Sequence, residues 1–286
     1  MEGNTMEYTT LNNGVKMPML GYGVFQIPGE DTKRCVLDAI SVGYRSIDTA
    51  QGYFNEEGVG EAISTCGLPR DELFLTTKIW ISNGGYEKAK VSIDESLRKL
   101  KTDYVDLLLI HQPFNDYYGS YRAMEEAYKA GKLRAIGVSN FMPDRFIDIA
   151  GFVEVTPAVN QLETHVFQQQ RIAGVVLKKY GTQLVAWSPL AQGKNNLFAN
   201  ETLVAIGAKY GKTAAQVNLR FLIQSGVVVI PKSTHKERMA ENFDLFDFRL
   251  TKDEMNELKS LDLGKSQFID HYAPDVAEMF VNAGKM

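Results

Sequence analysis

Tyr104-Val105-Asp106-Leu107-Leu108-Leu109-Ile110-His111 is an apolar run, broken once by Asp106, that finishes on an imidazole. Two earlier runs are built the same way. Tyr44-Arg45-Ser46-Ile47-Asp48 ends on a carboxylate, and Leu73-Phe74-Leu75-Thr76-Thr77-Lys78 ends on an ammonium. The loop after the first of them, Thr49-Ala50-Gln51-Gly52-Tyr53, adds a phenol. Strands that each terminate on an ionisable group are what a parallel α/β barrel needs, because their C-terminal ends converge on one face.

Working outward from these three segments, strands are expected near 20–25, 44–48, 73–78, 104–110, 133–138, 157–161, 183–188 and 227–231. Helices are expected near 31–42, 56–66, 86–100, 119–130, 143–151, 169–180 and 213–224. In the third, Ile93, Leu97 and Leu100 fall at helical spacing. Gly43, Gly131 and Gly181 stand where helices stop, and Thr213 stands where one starts. Most strands recur at roughly thirty residues, the length of a βα unit, and no Pro/Ser-rich linker divides the chain. These features predict one (β/α)8 TIM barrel domain over residues 1–286. Two additions are expected. A β-hairpin around Asn13-Gly14 plugs the bottom of the barrel. After the last strand, Thr251-Lys252-Asp253-Glu254 opens an extra helix by a capping box, followed from Gly264 by a loop-like tail, a natural substrate lid if it returns to the active face.

Composition bounds the function. The 286 residues are 44% hydrophobic and 23% charged, with a formal charge of -4. That is a soluble globular balance and argues against general nucleic-acid binding. The polar N-terminus has no apolar core of a signal peptide, and the run from Tyr104 to Ile110 is far too short to span a bilayer. Two cysteines, Cys35 and Cys66, suit packing thiols in a reduced cytoplasm. No membrane partner, nucleic acid or metal site is expected, and nothing in the chain points beyond a monomer.

Asp48, Tyr53, Lys78 and His111 form a proton-donating set. A free phenol titrates near about 10, and a neighbouring cation is expected to lower that value. Lys78 can supply the cation and Asp48 can hold it. His111 can donate a hydrogen bond to a carbonyl oxygen or relay a proton. Lys78 alone would also suit a Schiff-base lyase, but pairing with Asp48 keeps an ammonium protonated and argues against a nucleophile. A non-catalytic protein on the same scaffold is a further alternative, which the complete set of four disfavours.

The chain resembles the aldo-keto reductases. The matching segments are Gly43-Tyr44-Arg45-Ser46-Ile47-Asp48-Thr49-Ala50, Asn55-Glu56-Glu57-Gly58-Val59-Gly60, Thr77-Lys78 and Tyr104-Val105-Asp106-Leu107. They continue with Ile136-Gly137-Val138-Ser139-Asn140-Phe141, Asn160-Gln161, Ala186-Trp187-Ser188-Pro189-Leu190 and Ile230-Pro231-Lys232-Ser233. The likeness runs from about Gly14 to Asp262. It is nearest the microbial diketogluconate-reductase and prostaglandin-F-synthase-like branch, judged by Trp187 and the short tail. It implies NADPH-dependent reduction of an aldehyde or ketone, with Asp48, Tyr53, Lys78 and His111 as the catalytic tetrad and Tyr53 as general acid.

The same resemblance implies a cofactor site. Ser139, Asn140 and Gln161 would bond the nicotinamide carboxamide, and Trp187 would stack under the ring, with Ser188 and Leu190 beside it. Gly21-Tyr22-Gly23 lacks the third glycine of a dinucleotide fingerprint. Lys232, Ser233 and Arg238 instead suit a 2′-phosphate, with Glu241 and Asn242 facing the adenine, which favours NADPH over NADH. One departure stands out. The family's usual His-Trp-Pro is His111-Gln112-Pro113 here, so the substrate wall loses an indole and gains an amide. Phe25, Trp80 and Phe114 are the expected apolar walls, Phe25 standing where many relatives carry tryptophan. The loop 115–119 and the tail 268–272 are expected to shape specificity.

Overall fold

The structure, a computed structural model, describes residues 5–285. The first four residues of the polar N-terminus and Met286 at the end of the tail lie outside it. The chain opens with an antiparallel hairpin, β1 (Tyr8–Thr10) and β2 (Lys16–Pro18), turning through Gly14 at a φ of 86°. Leu11 and Met17 are buried. Asn13 Nδ2 donates to the Arg134 carbonyl at 2.9 Å, Asn12 Nδ2 to the Pro157 carbonyl at 3.3 Å, and Thr9 Oγ1 to Gln183 Oε1 at 3.0 Å. All three partners lie at or just before strand starts, so the hairpin covers the bottom of the barrel as expected.

Eight parallel strands follow: β3 (Tyr22–Gly23), β4 (Ser46–Asp48), β5 (Phe74–Ile79), β6 (Leu107–Ile110), β7 (Ile136–Ser139), β8 (Val159–Glu163), β9 (Gln183–Trp187) and β10 (Val228–Val229). Each pairs with its sequence neighbour. The sheet closes on itself where Leu20 bridges Val229 in parallel, with Gly21 N donating to the Val229 carbonyl at 2.8 Å and Gly23 N to the Pro231 carbonyl at 3.1 Å. The seam needs small residues: a Cβ on Gly21 would stand 2.9 Å from Ser46 Oγ, and one on Gly23 3.1 Å from the Ile230 carbonyl oxygen. This is the predicted (β/α)8 barrel, each of its eight strands overlapping a segment read from the sequence.

The helices that coat it are α1 (Gly29–Val42), α2 (Glu56–Thr65), α3 (Tyr86–Leu100), α4 (Tyr117–Lys129), α5 (Pro143–Phe152), α6 (Arg171–Lys179), α7 (Glu201–Tyr210), α8 (Ala214–Gln224), α9 (Lys236–Phe243), α10 (Lys252–Lys259) and α11 (Pro274–Ala283). Thr213 and Thr251 each close a complete capping box, with Gln216 and Glu254 respectively. α7, α9 and α11 lie where no helix was expected. α11 corrects the reading of the tail as loop-like: Pro274 opens it at a first-turn position, and Phe280 is buried one turn after the half-buried Val276 and Ala277. Cys35 and Cys66 are free thiols. Among the described residues no helix is long and apolar enough to cross a membrane.

Candidate active site

The upper rims of the strands bring the four ionisable residues together. Asp48 is the last residue of β4, Lys78 lies at the end of β5, and His111 follows β6. Tyr53 closes a single 3-10 turn, Gln51–Tyr53, immediately above Asp48 in the chain. Lys78 is fully buried, and its Nζ donates to Asp48 Oδ1 at 2.5 Å, to the Thr49 carbonyl at 2.9 Å and to the Tyr53 hydroxyl at 3.4 Å. Asp48 Oδ2 accepts from Gln161 Nε2 at 2.8 Å. The Tyr53 and His111 rings meet edge to face at 5.5 Å, Trp80 and His111 at 5.1 Å, and Phe25 tilts against Tyr53 at 4.9 Å.

The charges follow from this packing. Burial pulls the Lys78 ammonium down, but Asp48 and Tyr53 outweigh it and the net direction is up. That keeps Lys78 a cation and disfavours it as a Schiff-base nucleophile. Tyr53 corrects the expectation of a lowered phenol. Burial pushes it up more than Lys78 pulls it down, and Asp48 adds to the rise. Burial is the largest of these effects, and the hydrogen-bonded Lys78 cation, itself paired with Asp48, does not offset it. His111 is held well below the ordinary imidazole value by burial and then by Lys78, so it is neutral near pH 7. Its Nδ1 is buried without a partner. An unpaired acceptor is cheaper there than an unpaired N–H, so the proton belongs on Nε2, poised to donate.

The strand ends of β7, β8 and β9 form the opposite wall. Ser139 Oγ donates to the Gln161 carbonyl at 2.9 Å. Asn140, at a φ of 63°, donates to the His111 carbonyl at 3.0 Å and to Ser139 Oγ at 3.2 Å. Trp187 Nε1 donates to Asn140 Oδ1 at 2.9 Å. One network thus joins Trp187, Asn140 and Ser139 to the His111 backbone, and Gln161 carries it to Asp48. No sequence signal announced these links, which, apart from the contact between neighbours Asn140 and Ser139, join residues 22 to 113 positions apart.

A cavity of about 560 Å³ lies between the walls. Asp48, Tyr53, His111, Ser139, Asn140, Gln161, Trp187, Ser188, Leu190 and Lys232 line it, as do Phe25, Trp80 and Gln112. Lys78 stands behind Asp48 and Tyr53. Ser233, Arg238, Glu241 and Asn242 lie off the cavity at and within α9. Ser233 Oγ accepts from His235 N at 3.1 Å, and Glu241 Oε1 accepts from Thr213 Oγ1 at 2.8 Å. Phe114 is set back from the cavity: it stacks on Phe280 at 5.3 Å, and Phe280 supplies the wall instead. Phe198 and Phe280 were not anticipated, Phe280 because its helix was read as loop.

The tail does return to the active face. Phe268, Ile269 and His271 line the cavity, with Phe268 against Trp187 at 5.6 Å. Lys232 and Arg238 are exposed and make no ion pair among the described residues. Both flank the N-terminal turn of α9, whose free N–H groups favour anions. The aromatic face of Trp187 and the cation of Lys232 in the cavity wall, with the second cation of Arg238 beyond it on α9, suit a dinucleotide phosphate. Among the described residues no His, Cys, Asp and Glu cluster could hold a metal ion.

Eight βα units carry a buried Asp–Lys pair, a phenol and a neutral imidazole on the upper rim, the make-up of an oxidoreductase barrel. The chain belongs to the Aldo/keto reductase family, whose pattern it matches over residues 19–263. It is 47% identical over 253 residues to the glyoxal reductase of Bacillus subtilis, covering 88% of this chain and 91% of that one. It is 44% identical over 261 residues to the methylglyoxal reductase DkgA of Escherichia coli K12, covering 89% and 93%. Among solved structures, an aldo-keto reductase of Bombyx mori in complex with NADP superposes with a TM-score of 0.87 at 32% identity, covering 93% of this chain and 96% of that one.

Proposed function

We propose that the protein reduces aldehydes or ketones to alcohols with NADPH, and that Tyr53 is the general acid. The observation that carries this reading is the hydrogen bond of buried Lys78 to both Asp48 and Tyr53, beside the neutral ring of His111. Lys232, Ser233 and Arg238 would hold the 2′-phosphate, Glu241 and Asn242 the adenine, and Trp187 with Ser139, Asn140 and Gln161 the nicotinamide end. Bound NADPH supplies a hydride equivalent to the carbonyl carbon. His111 Nε2–H and the Tyr53 hydroxyl donate to the carbonyl oxygen, and Tyr53 then yields its proton to that oxygen as it gains charge. Lys78 offsets the charge left on the phenol oxygen. Relatives named glyoxal and methylglyoxal reductase support small aldehydes as substrates. We further read the chain as one barrel domain acting as a cytoplasmic monomer, in keeping with the free thiols of Cys35 and Cys66.

The test is Tyr53→Phe. Removing a general acid costs about 10²–10⁴ in rate, so NADPH consumption with an aldehyde collapses while NADPH binding, followed by quenching of tryptophan fluorescence, persists. A variant that reduced aldehydes at the parental rate would refute the assignment.

A further inference from the structure

We infer that Gln51 is a positioning residue for the reduction: its side-chain amide locks the turn that carries Tyr53 to the exit of β5 that carries Trp80. The inference rests on the reductase reading above and adds to it a residue that stands outside the cavity.

Tyr53 sits on a short support. Its turn, Gln51–Tyr53, is one 3-10 turn with no fully buried residue. Tyr53 N donates to the Ala50 carbonyl at 3.0 Å and Phe54 N to the Gln51 carbonyl at 3.3 Å. Phe54 then leaves the turn in the left-handed region, at a φ of 56°. A single 3-10 turn has poor hydrogen-bond geometry and little cohesion of its own. The contact it must preserve has little slack. Lys78 Nζ reaches the Tyr53 hydroxyl at 3.4 Å, already at the long end for a hydrogen bond. A small outward drift of the turn breaks it, so the anchor must come from outside the turn.

The Gln51 side chain is that anchor. Its Oε1 accepts from the Trp80 backbone N–H at 3.0 Å and from Asn83 Nδ2 at 2.8 Å. Its Nε2 donates to the Ser92 carbonyl at 3.2 Å and to Ser96 Oγ at 3.0 Å. An amide offers two donors and two acceptor sites, and all four are used. They also fix its orientation, since a flipped amide would aim Nε2 at the Trp80 N–H and Oε1 at the Ser92 carbonyl. The partners come from the exit of β5, the turn Ile81–Asn83 and α3. Gly52 completes the joint. A Cβ there would stand 3.0 Å from Trp80 Cδ2 and Cε3, so glycine lets the indole lie on the turn. Trp80 is thus held at its backbone by Gln51 and at its ring by Gly52, and that ring meets His111 at 5.1 Å.

Gln51 lies two residues before Tyr53, and Trp80 two residues after Lys78. The amide therefore closes a short loop around the Lys78–Tyr53 contact. Asn55 secures the opposite flank: Nδ2 donates to the Val24 carbonyl at 2.9 Å, and Oδ1 accepts from Thr49 Oγ1 at 2.8 Å. Gly52, Tyr53 and Trp80 line the cavity, whereas Gln51 does not. Gln51 acts through its neighbours, so its loss is felt in the chemical step and not in the binding of NADPH.

The test is Gln51→Met in the full chain, which keeps the length of the side chain and loses all four bonds. With propanal, kcat falls about tenfold to a hundredfold, the cost of a misplaced catalytic group. The Kd for NADPH, followed by its fluorescence, stays within about twofold of the parent, less than the loss of one hydrogen bond to a ligand. Gln224→Met is the control for stability alone. Gln224 ends α8, ahead of β10, and bonds Leu250 N at 2.7 Å, the Leu250 carbonyl at 3.1 Å and Arg220 Nε at 3.1 Å. That variant melts lower and keeps the parental kcat. Asn83→Ala removes one of the four bonds, is milder should Gln51→Met not fold, and lowers kcat about threefold with NADPH affinity again unchanged. Parental kcat in Asn83→Ala and Gln51→Met, a loss of NADPH affinity as large as the loss of kcat, or an equal loss of kcat in Gln224→Met would overturn the inference and leave the reductase reading intact. A parent that consumes no NADPH with propanal or any other aldehyde would overturn the reading on which it rests.

Discussion

The ammonium of Lys78 lies 2.5 Å from Oδ1 of Asp48, with both side chains essentially sealed from solvent. The pair sits beneath the phenol of Tyr53, so it is at once a stability element and the electrostatic floor of the site. Two consequences separate those roles. Asp48→Asn strands a buried ammonium, and breaking a buried pair costs about 3–5 kcal/mol. Lys78→Met in the same chain removes the orphaned charge, so the double variant melts above Asp48→Asn. Both variants lose reduction by about tenfold or more: Asp48→Asn removes the carboxylate that holds the Lys78 ammonium under Tyr53, and the double variant removes the ammonium itself. Denaturation curves and initial rates on the same samples check the two halves. The pair's sign is set by the raised lysine: its stabilisation is present at neutral pH and fades only as pH rises beyond the ordinary lysine value of 10.5.

The pH profile of the reaction follows from Tyr53 and His111. Burial raises the phenol, so its acid form persists through neutrality and into alkali. Reduction at saturating carbonyl therefore stays level through pH 6–8 and falls only above about 10. Alcohol oxidation, which needs the phenolate, climbs over the same alkaline window. His111 lies well below 6.5 and adds no break between pH 6 and 8. A rate profile that bends near 6.5, and loses the bend in His111→Asn, would show that the imidazole titrates after all.

The indole N–H of Trp187 holds Asn140 Oδ1, and Asn140 in turn holds the His111 carbonyl. Trp187→Phe keeps an aromatic face but frees that amide. NADPH affinity should weaken about tenfold, the worth of one buried hydrogen bond. Asn140→Ala should weaken it similarly, and the two losses should not add, because they remove one network. Enhancement of NADPH fluorescence on binding measures all three proteins.

The barrel was legible because its signals are local. Apolar runs ending on Asp48, Lys78 and His111 sit in strands, and the capping boxes at Thr213 and Thr251 form as written. What escaped depends on tertiary packing. α11 is short, and Phe280 is its one fully buried side chain, resting on Phe114 and His271, which lie far from it in the chain or across a turn. Its apolar face therefore had no visible partner. The raised phenol of Tyr53 escaped for a related reason: the sequence places a cation near it but does not reveal how completely Asp48 and burial cancel that cation. Phe114 looked like a wall by position in the loop, and only the placement of Phe280 shows that it stands one layer back.

Lys232 and Arg238 are the proposed source of the preference for NADPH. Lys232→Met combined with Arg238→Met should lower kcat/KM for NADPH about tenfold to a hundredfold and leave that for NADH nearly unchanged, since the charges recognise only the extra phosphate. The NADPH value in the parent should also fall with added salt more steeply than the NADH value. Equal losses for the two cofactors would place these cations elsewhere than at the 2′-phosphate.

Glu163, at the end of β8 and 4% exposed, ties the tail to the barrel. Its Oε2 accepts from Ser266 Oγ at 2.5 Å, and its Oε1 accepts from Gln267 N at 2.7 Å and lies 3.0 Å from His165 Nε2. Ser266 Oγ then accepts from the Phe268 and Ile269 amides at 3.0 and 2.9 Å, setting the two residues that enter the cavity. Glu163→Gln keeps the shape but turns one acceptor into a donor, which cannot receive the Ser266 hydroxyl. Segment 266–271 should then open more often, raising KM for the carbonyl several-fold with a smaller change in kcat. Hydrogen exchange separates this from general loosening. The Phe268 and Ile269 amides should exchange about tenfold faster, while the Gln161 and Asn160 amides within β8 keep parental rates. A raised KM with unchanged exchange at Phe268 and Ile269 would mean that Glu163 acts through His165 or the rim of β8 rather than through the tail.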